Sequence, residues 1–245
     1  MDFNKIIARA KALLLSPKTE WPAIASETET TQGLYVGYVI PLAAAPAIAG
    51  FIKSSVIGTA IPFVGGTYRS SIGGGLSAAV ITFLMSLVGV FILGLIIDAL
   101  APTFGATKDR MQALKTAAYA YTASWVAGIL VIVPGIGWLV ALLGGLYSLY
   151  LLFLGLPFTM KAPEDKTVGY TIVTVIAAIV LSLILGAITA GVVGTAGLGG
   201  LARSGSFGSS AVTSDDSGSI TGGALGGVNL AGLAALRNEG VKAAN

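Results

Sequence analysis

The chain has 245 residues, of which 55% are hydrophobic and only 10% are charged, and its mean hydropathy is +0.87. A soluble domain carries about 25% charged residues, so much of this surface is expected to face lipid rather than water. The chain contains no cysteine and no histidine, which excludes disulfides, thiolate nucleophiles, iron–sulfur clusters, Cys- or His-ligated zinc and imidazole catalysis.

Residues 1–33 are predicted to form a cytoplasmic amphipathic anchor and linker. Apolar residues recur at helical spacing up to the stretch "LLLSPKTEW", and Lys5 and Arg9 fall on the opposite face. Such a helix is expected to lie in the membrane interface with its basic side towards anionic headgroups, and to end at Ser16-Pro17. Trp21 is predicted to anchor the chain at headgroup level. A solvated helix followed by a loop is the alternative.

The predicted fold class is all-α, an integral membrane protein whose residues 34–195 form five transmembrane helices. Each span is long and apolar enough to cross a bilayer, which takes roughly 20 residues. Pro134 and Gly135, between the third and fourth spans, predict a tight hairpin turn. Pro41 and Pro46 are expected to kink the first span. The predicted spans are 34–52, 76–97, 113–133, 136–156 and 168–193.

The basic residues predict how these spans are threaded. If the N-terminus is cytoplasmic, nine of the 14 Lys and Arg residues lie on the cytoplasmic side and five lie outside. This bias predicts a cytoplasmic N-terminus and a periplasmic C-terminus. The outer connection at 54–75 is apolar enough to re-enter the membrane, with a plain hydrophobic loop as the other interpretation. Residues 196–245 are rich in Gly and Ser and predict a flexible tail.

Polar side chains in the third and fourth spans fall at matching depths if the two helices are antiparallel about their turn. Polar groups at this depth need partners, because lipid offers none. Two interpretations stay open: hydrogen bonds that join the helices, or a polar cavity for a solute or headgroup. The predicted polar layer consists of Tyr119, Tyr121, Thr122, Tyr147, Ser148 and Tyr150.

Few residues suggest catalysis. Asp98 ends the second span just ahead of Lys108 and Arg110, and a cytoplasmic ion pair is expected there. The Gly-rich tail lacks the strand–loop–helix context of a phosphate-binding loop, and basic residues do not cluster with aromatic ones as a nucleic-acid surface requires. We therefore predict no catalytic residue, no cofactor, no metal and no nucleic-acid partner.

Several segments together resemble the bacterial branch of the Yip (Ypt/Rab-interacting protein) family. They are "LLLSPKTEW", "YVGYVIPLAAAPAIAGFI", "TKDRMQALKTAAYAYTASWVAGIL", "YSLYLLFLGLP" and "DKTVGYTIV", and the resemblance covers roughly residues 10–195. It implies a five-span helical domain with a cytoplasmic N-terminus. Eukaryotic relatives bind prenylated Rab GTPases and help organise vesicle traffic. The resemblance carries over no functional residue.

We therefore predict a non-enzymatic, multi-pass protein of the bacterial inner membrane. Its expected role is to organise the membrane or bind partners through the N-terminal anchor, acting as a scaffold. Its expected partners are the lipid bilayer and either other membrane proteins or a second copy of this chain. The alternative is a small-solute or ion transporter or channel built around the kinked first span and the polar layer.

Overall fold

A computed structural model describes residues 2–60, 67–133 and 136–203 of the chain. Its contacts divide the chain into two units, Met1–Val193 and Gly194–Asn245. The described residues are almost entirely helical, as predicted, with one short antiparallel ladder between β1 (Thr59–Ala60) and β2 (Thr67–Tyr68). The predicted hairpin turn at Pro134-Gly135 and residues 204–245 of the predicted tail lie outside the described residues.

Two short helices form an N-terminal cap, α1 (Phe3–Leu15) and α2 (Pro17–Ser26). The Asp2 side chain accepts a hydrogen bond from the Lys5 N–H at the start of α1. Pro17 is placed at the first position of α2, where its missing N–H is not needed. The helix break predicted at Ser16-Pro17 is therefore present, but the chain turns directly into a second helix rather than into a loop.

The first long helix, Thr31–Ile57, is built from four consecutive segments. They are α3 (Thr31–Leu34), a π-helical segment Tyr35–Val39, α4 (Ile40–Phe51) and a second π-helical segment Ile52–Ile57. The first π segment lies directly ahead of Pro41, and the Ile40 N–H bonds to the Tyr35 carbonyl. Widened turns of this kind accommodate disrupted hydrogen bonding next to a proline. The kinks at Pro41 and Pro46 stay a prediction.

Three further long helices follow: α5 (Ile72–Leu100), extended by a 3₁₀ turn at Ala101–Phe104, then α8 (Gly137–Thr159) and α9 (Glu164–Arg203). Helix α9 continues past the predicted end of the membrane domain, because its sequence contains no proline. Within the described ranges, four helices are long and apolar enough to cross a membrane: Thr31–Ile57, Ile72–Phe104, Leu139–Thr159 and Glu164–Val192.

The predicted third span is not one continuous helix. It consists of α6 (Arg110–Ala120) and α7 (Thr122–Leu130), with a break at Tyr121. Tyr and Thr have lower helix propensity than the alanines before them, and the Thr122 hydroxyl is bonded to Tyr38 of the first helix. Asp109 caps the start of α6 by accepting from the Met111 and Gln112 N–H groups. The mean hydropathy of the span does not show this break.

Helices α6 and α7 run antiparallel to α8 along its whole length. At one end the Thr107 N–H donates to the Met160 carbonyl over 2.8 Å, and further along the Ser124 N–H donates to the Ser148 hydroxyl over 2.9 Å. Gly144 permits the closest approach of α7 and α8, since a Cβ atom there would lie 2.2 Å from the Cβ of Ala127. Small residues at such contacts are typical of membrane helix pairs.

We expect Gly144→Ala to destabilise the protein and the neighbouring Gly145→Ala to leave it unchanged or more stable. A methyl group at 144 overlaps Ala127, whereas one at 145 meets no heavy atom within 4 Å. Overpacking typically costs about 1–3 kcal/mol, and replacing a helical Gly by Ala gains up to about 1 kcal/mol. The free energy of unfolding in detergent micelles measures both. Equal effects of the two substitutions would show that α7 and α8 are not in close contact at Gly144.

Candidate functional site

The described residues contain no group of three or more metal-ligating side chains. Their most prominent polar feature is a cluster of charged and tyrosine side chains beneath the N-terminal cap. We call it the cap cluster and define it by Arg9, Glu20, Glu27, Tyr38, Lys115 and Tyr119. These residues come from α1, α2, the linker after α2, the first long helix and α6.

Arg9 is the centre of the cap cluster. Its guanidinium donates to the Glu20 carboxylate over 2.5 Å and to the Glu27 carboxylate, and its side chain is 23% exposed. The same group lies 5.9 Å from the centroid of the Tyr119 ring, within the range of a cation–π contact. Burial alone would lower the pKa of Arg9, but the hydrogen bond and charge of Glu27 raise it above its ordinary value. Arg9 therefore stays charged and holds α1 to α2.

Lys115 fixes the other end of α2. This side chain is only 1% exposed, and its ammonium donates to the carbonyls of Ile24 over 2.8 Å and Glu27 over 2.5 Å. The Gln112 amide donates to the Ala25 carbonyl over 2.9 Å. The last carbonyls of a helix have no partner within the helix, and a cation near them is also favoured by the helix dipole. Helix α6 therefore caps α2.

Trp21 lies inside the protein, contrary to its predicted place at headgroup level. The side chain is 0% exposed and packs flat against α8 at Gly155, where a Cβ atom would lie 2.7–2.9 Å from the indole ring. Arg9 likewise points into the cap cluster rather than towards headgroups. The reason is tertiary: Gly155 supplies the space for the ring and the carboxylates supply partners for the cation. Lys5 is exposed, and its anchoring role stays a prediction.

The predicted polar layer is divided among several contacts in the structure. The Tyr38 hydroxyl is bonded to the Thr122 hydroxyl at 2.8 Å, and the Tyr38 and Tyr119 rings lie 4.7 Å apart. Ser148 is bonded to Ser124, and Tyr121 stacks on Trp125. Tyr119 is buried, whereas Tyr150 is 42% exposed and therefore faces outwards.

Tyr147 connects α8 to the cap. Its hydroxyl donates to the Leu14 carbonyl over 2.8 Å, and its ring lies 5.5 Å from that of Tyr150. Tyr147 precedes Thr159, the end of α8, by 12 positions, which corresponds to about 18 Å along the helix. The end of α1 therefore lies well inside the depth of the bundle rather than at its edge.

A cleft of about 260 Å³ opens beside the cap cluster between α1 and the first long helix. Glu29 lies at its rim, where desolvation and the charge of Glu27 raise the pKa of the Glu29 carboxyl. The other lining side chains are mostly those of the cap cluster and of the start of α1, among them Asp2, Lys5 and Ile6. The cleft presents both signs of charge, so it does not favour a purely anionic or purely cationic ligand.

Sequence reasoning assigned no site role to Glu20, Glu27, Tyr38 or Lys115. The sequence does contain a signal that could have identified Lys115. This lysine lies within the predicted third span, where a charged residue needs a buried partner. Glu20 and Glu27 lie 11 and 18 residues from Arg9, so no helical spacing connects them. The ion pair expected at Asp98 is confirmed: Asp98 is buried, and its carboxylate lies 3.7 Å from Arg110.

Comparisons with known proteins agree on one family. The family model of the Yip1 domain matches residues 11–186. The inner membrane protein YohC of Escherichia coli strain K12 is 30% identical over 178 residues, which are 71% of this chain and 90% of that protein. The protein of the same name from E. coli O6:H1 strain CFT073 gives the same values. No solved structure matches the chain.

We expect Arg9→Met to loosen the cap, because it leaves the Glu20 and Glu27 carboxylates without their shared cation. Hydrogen bonds to charged groups contribute about 1.5–3 kcal/mol each, so the free energy of unfolding in detergent should fall by a similar amount. Limited proteolysis should also cut residues 27–30 sooner. Fluorescence of Trp21, which packs between α2 and α8, reports the change once Trp125 and Trp138 are replaced by phenylalanine.

Lys5→Met is the matched control on the same helix. The Lys5 ammonium lies 3.9 Å from Asp2 and its side chain is 85% exposed, so the expected change is below about 0.5 kcal/mol. If Arg9→Met and Lys5→Met had equal effects, the Arg9 ion pairs would not hold the cap.

Proposed function

This chain belongs to the Yip1 domain family, and we propose that it is a non-enzymatic scaffold that organises the inner membrane in which it lies. Several apolar membrane helices and an inner-membrane relative make it a multi-pass membrane protein of the inner membrane. One observation supports the organising role above others. Helix α1 has apolar side chains on two faces, of which only one is used for packing.

The inner face of α1 packs on the protein through Ile6, Ala10 and Leu13. Its outer face carries Phe3 and Ile7, which are 63% and 64% exposed, and Leu15 is exposed beyond them. Exposed apolar residues in a patch need an apolar environment or a partner. The Tyr147 hydrogen bond holds the end of α1 far from the end of α8 at Thr159. We therefore propose that the exposed apolar residues of α1 lie in the acyl region of the cytoplasmic leaflet.

The basic residues of the cap support the same orientation. Lys5, Lys11 and Lys18 are exposed, and their long side chains reach headgroups while their stems stay in apolar surroundings. A helix that lies in one leaflet with this arrangement responds to lipid composition and curvature. We therefore propose that the cap is a wedge in the cytoplasmic leaflet, held at a fixed depth by the cap cluster.

We further propose that the chain crosses the membrane five times, with its N-terminus in the cytoplasm and its C-terminus in the periplasm. The fifth crossing is the broken pair α6 and α7, supported by its antiparallel hydrogen bonds to α8 from Thr107 to Ser124. The hydroxyls of Thr116 and Thr159, 2.6 Å apart, form a buried hydrogen bond between this pair and α8. The excess of Lys and Arg on one side supports the orientation.

A transport role is the second candidate from the sequence analysis, and the contacts of the polar layer support the scaffold instead. Tyr38 and Thr122 are bonded to each other, and Tyr119 is covered by Tyr38 and Arg9. Hydroxyls that bond one another across helices stabilise the bundle by about 0.6–2 kcal/mol per bond, so the Tyr38 and Thr122 hydroxyls are already engaged within the protein.

Replacing Phe3 and Ile7 together by serine should weaken the preference of the protein for curved membranes. The variant keeps Arg9 and the inner face of α1, so the cap stays docked while its outer face loses affinity for acyl chains. We expect the wild-type protein to be enriched in small vesicles over large ones in a mixed reconstitution, and the double variant to lose most of that enrichment. Counting labelled protein per vesicle by fluorescence measures it.

The matched control is Val56→Ser with Ile57→Ser, which changes two exposed apolar residues at the other end of the first long helix. It should leave the enrichment unchanged. An equal effect of both pairs, or a saturable solute flux in proteoliposomes that Tyr119→Phe alters, would contradict the proposed role.

Single cysteines should report five crossings without background, because the chain contains no cysteine of its own. We expect cysteines at Ser26 and Lys161 to react with an impermeant maleimide from the cytoplasmic side, and cysteines at Arg69 and Val133 from the periplasmic side. Mass shifts in oriented vesicles measure the labelling. Cytoplasmic labelling at Val133 would mean that α6 and α7 enter and leave on the same side, giving four crossings.

A further inference from the structure

A cavity of about 450 Å³ lies between α5, α7, α8 and α9. Its walls include Leu93 of α5, Ser124 of α7, Gly145 and Ser148 of α8, and Ser182 of α9. Helix α9 is held to α5 at both ends of this space. The Tyr170 hydroxyl donates to the Ile97 carbonyl over 2.5 Å, and Leu185 packs against Gly89. The cavity belongs neither to the cap cluster nor to its cleft.

The cavity opens sideways, towards the lipid-facing surface of the bundle. Its rim consists of exposed leucine and isoleucine side chains of α8 and α9, namely Leu142, Leu146, Ile179 and Leu183. In a membrane protein these side chains are bathed in acyl chains rather than in water. A hydrocarbon segment can therefore enter from the bilayer without crossing a polar barrier.

The serine hydroxyls in the wall already have partners within the protein. Ser124 and Ser148 are bonded to each other at 2.8 Å. Ser182 donates to the Ala178 carbonyl over 2.8 Å. An occupant gains nothing by bringing a polar group to these side chains. The chemistry of the wall therefore fits hydrocarbon and not a headgroup or a polar solute.

The volume of the cavity, about 450 Å³, suits a single flexible lipid chain. Pockets of about 300–1,000 Å³ with mainly apolar walls hold small molecules. If the space were empty, its walls would lose dispersion contacts on one side. We propose that the cavity is a binding site for one acyl chain of a membrane phospholipid.

A phospholipid that carries a photoactivatable diazirine on its acyl chain tests this site in nanodiscs. We expect cross-links on peptides of α8 and α9 that face the cavity, and native mass spectrometry should retain one phospholipid per protein. Gly145→Leu should reduce both signals at least fivefold, because a Cβ atom at 145 meets no heavy atom within 4 Å and the added side chain fills the cavity.

Gly186→Leu is the matched control. It makes the same change at another helical glycine whose Cβ atom also meets no heavy atom within 4 Å, but Gly186 does not line the cavity. Its cross-links and retained lipid should equal those of the wild type. Ala141→Phe, from a second position in the wall, should repeat the effect of Gly145→Leu, so the test stands if one variant fails to fold.

Two results would overturn the proposal. One is labelling spread evenly over the outer surface and unchanged in both cavity-filling variants, which would show ordinary surface lipid only. The other is efficient disulfide dimers of Leu146→Cys, whose thiol is the only one in the chain, together with loss of lipid labelling at the cavity. These two results together would show that a second copy of this chain, and not a lipid, occupies the cavity. The phenotype of Phe3 and Ile7 variants tests the cap separately.

Discussion

The structure depends on pairing two cations, the partly buried Arg9 and the buried Lys115. A protein interior or a bilayer solvates charge poorly, so a buried cation persists only with close partners. Arg9 finds its partners in the carboxylates of Glu20 and Glu27, and Lys115 finds its partners in carbonyls at the end of α2. Because these partners come from the cap, the cap and α6 stabilise each other. The N-terminal helices are therefore part of the bundle rather than an appended anchor.

Small residues determine where the helices of the bundle pack closely and where a cavity remains between them. Gly144 and Gly155 let α7 and Trp21 approach α8 closely, since side chains there would overlap their neighbours. Gly145, about 100° further around α8, borders the cavity. Adjacent glycines on one helix thus have opposite consequences, close packing on one side and a space for lipid on the other.

Lipid contacts the proposed scaffold in two different ways, one at the cap and one in the cavity. Phe3 and Ile7 are exposed and are proposed to meet the acyl region of the leaflet as a surface, whereas the cavity is proposed to hold a single chain. In the proposed scaffold, a helix docked by ion pairs keeps its depth and passes to the bundle any force that its outer face exerts on the leaflet. An amphipathic helix that is not docked on the bundle can move within the interface, and it would transmit much less force to the bundle.

The sequence by itself determined the membrane environment, the all-helical class, the family and the break at Ser16-Pro17, because composition, apolar length and proline geometry are local properties. It did not determine which face of α1 meets the protein, because Ile6 and Ile7 are equally apolar and periodicity alone cannot choose between them. Only the tertiary structure turned Arg9 and Trp21 inwards and divided the third span at Tyr121. Those outcomes depend on Glu27, Gly155 and Tyr38, whose positions relative to Arg9, Trp21 and Thr122 arise only when distant segments pack together.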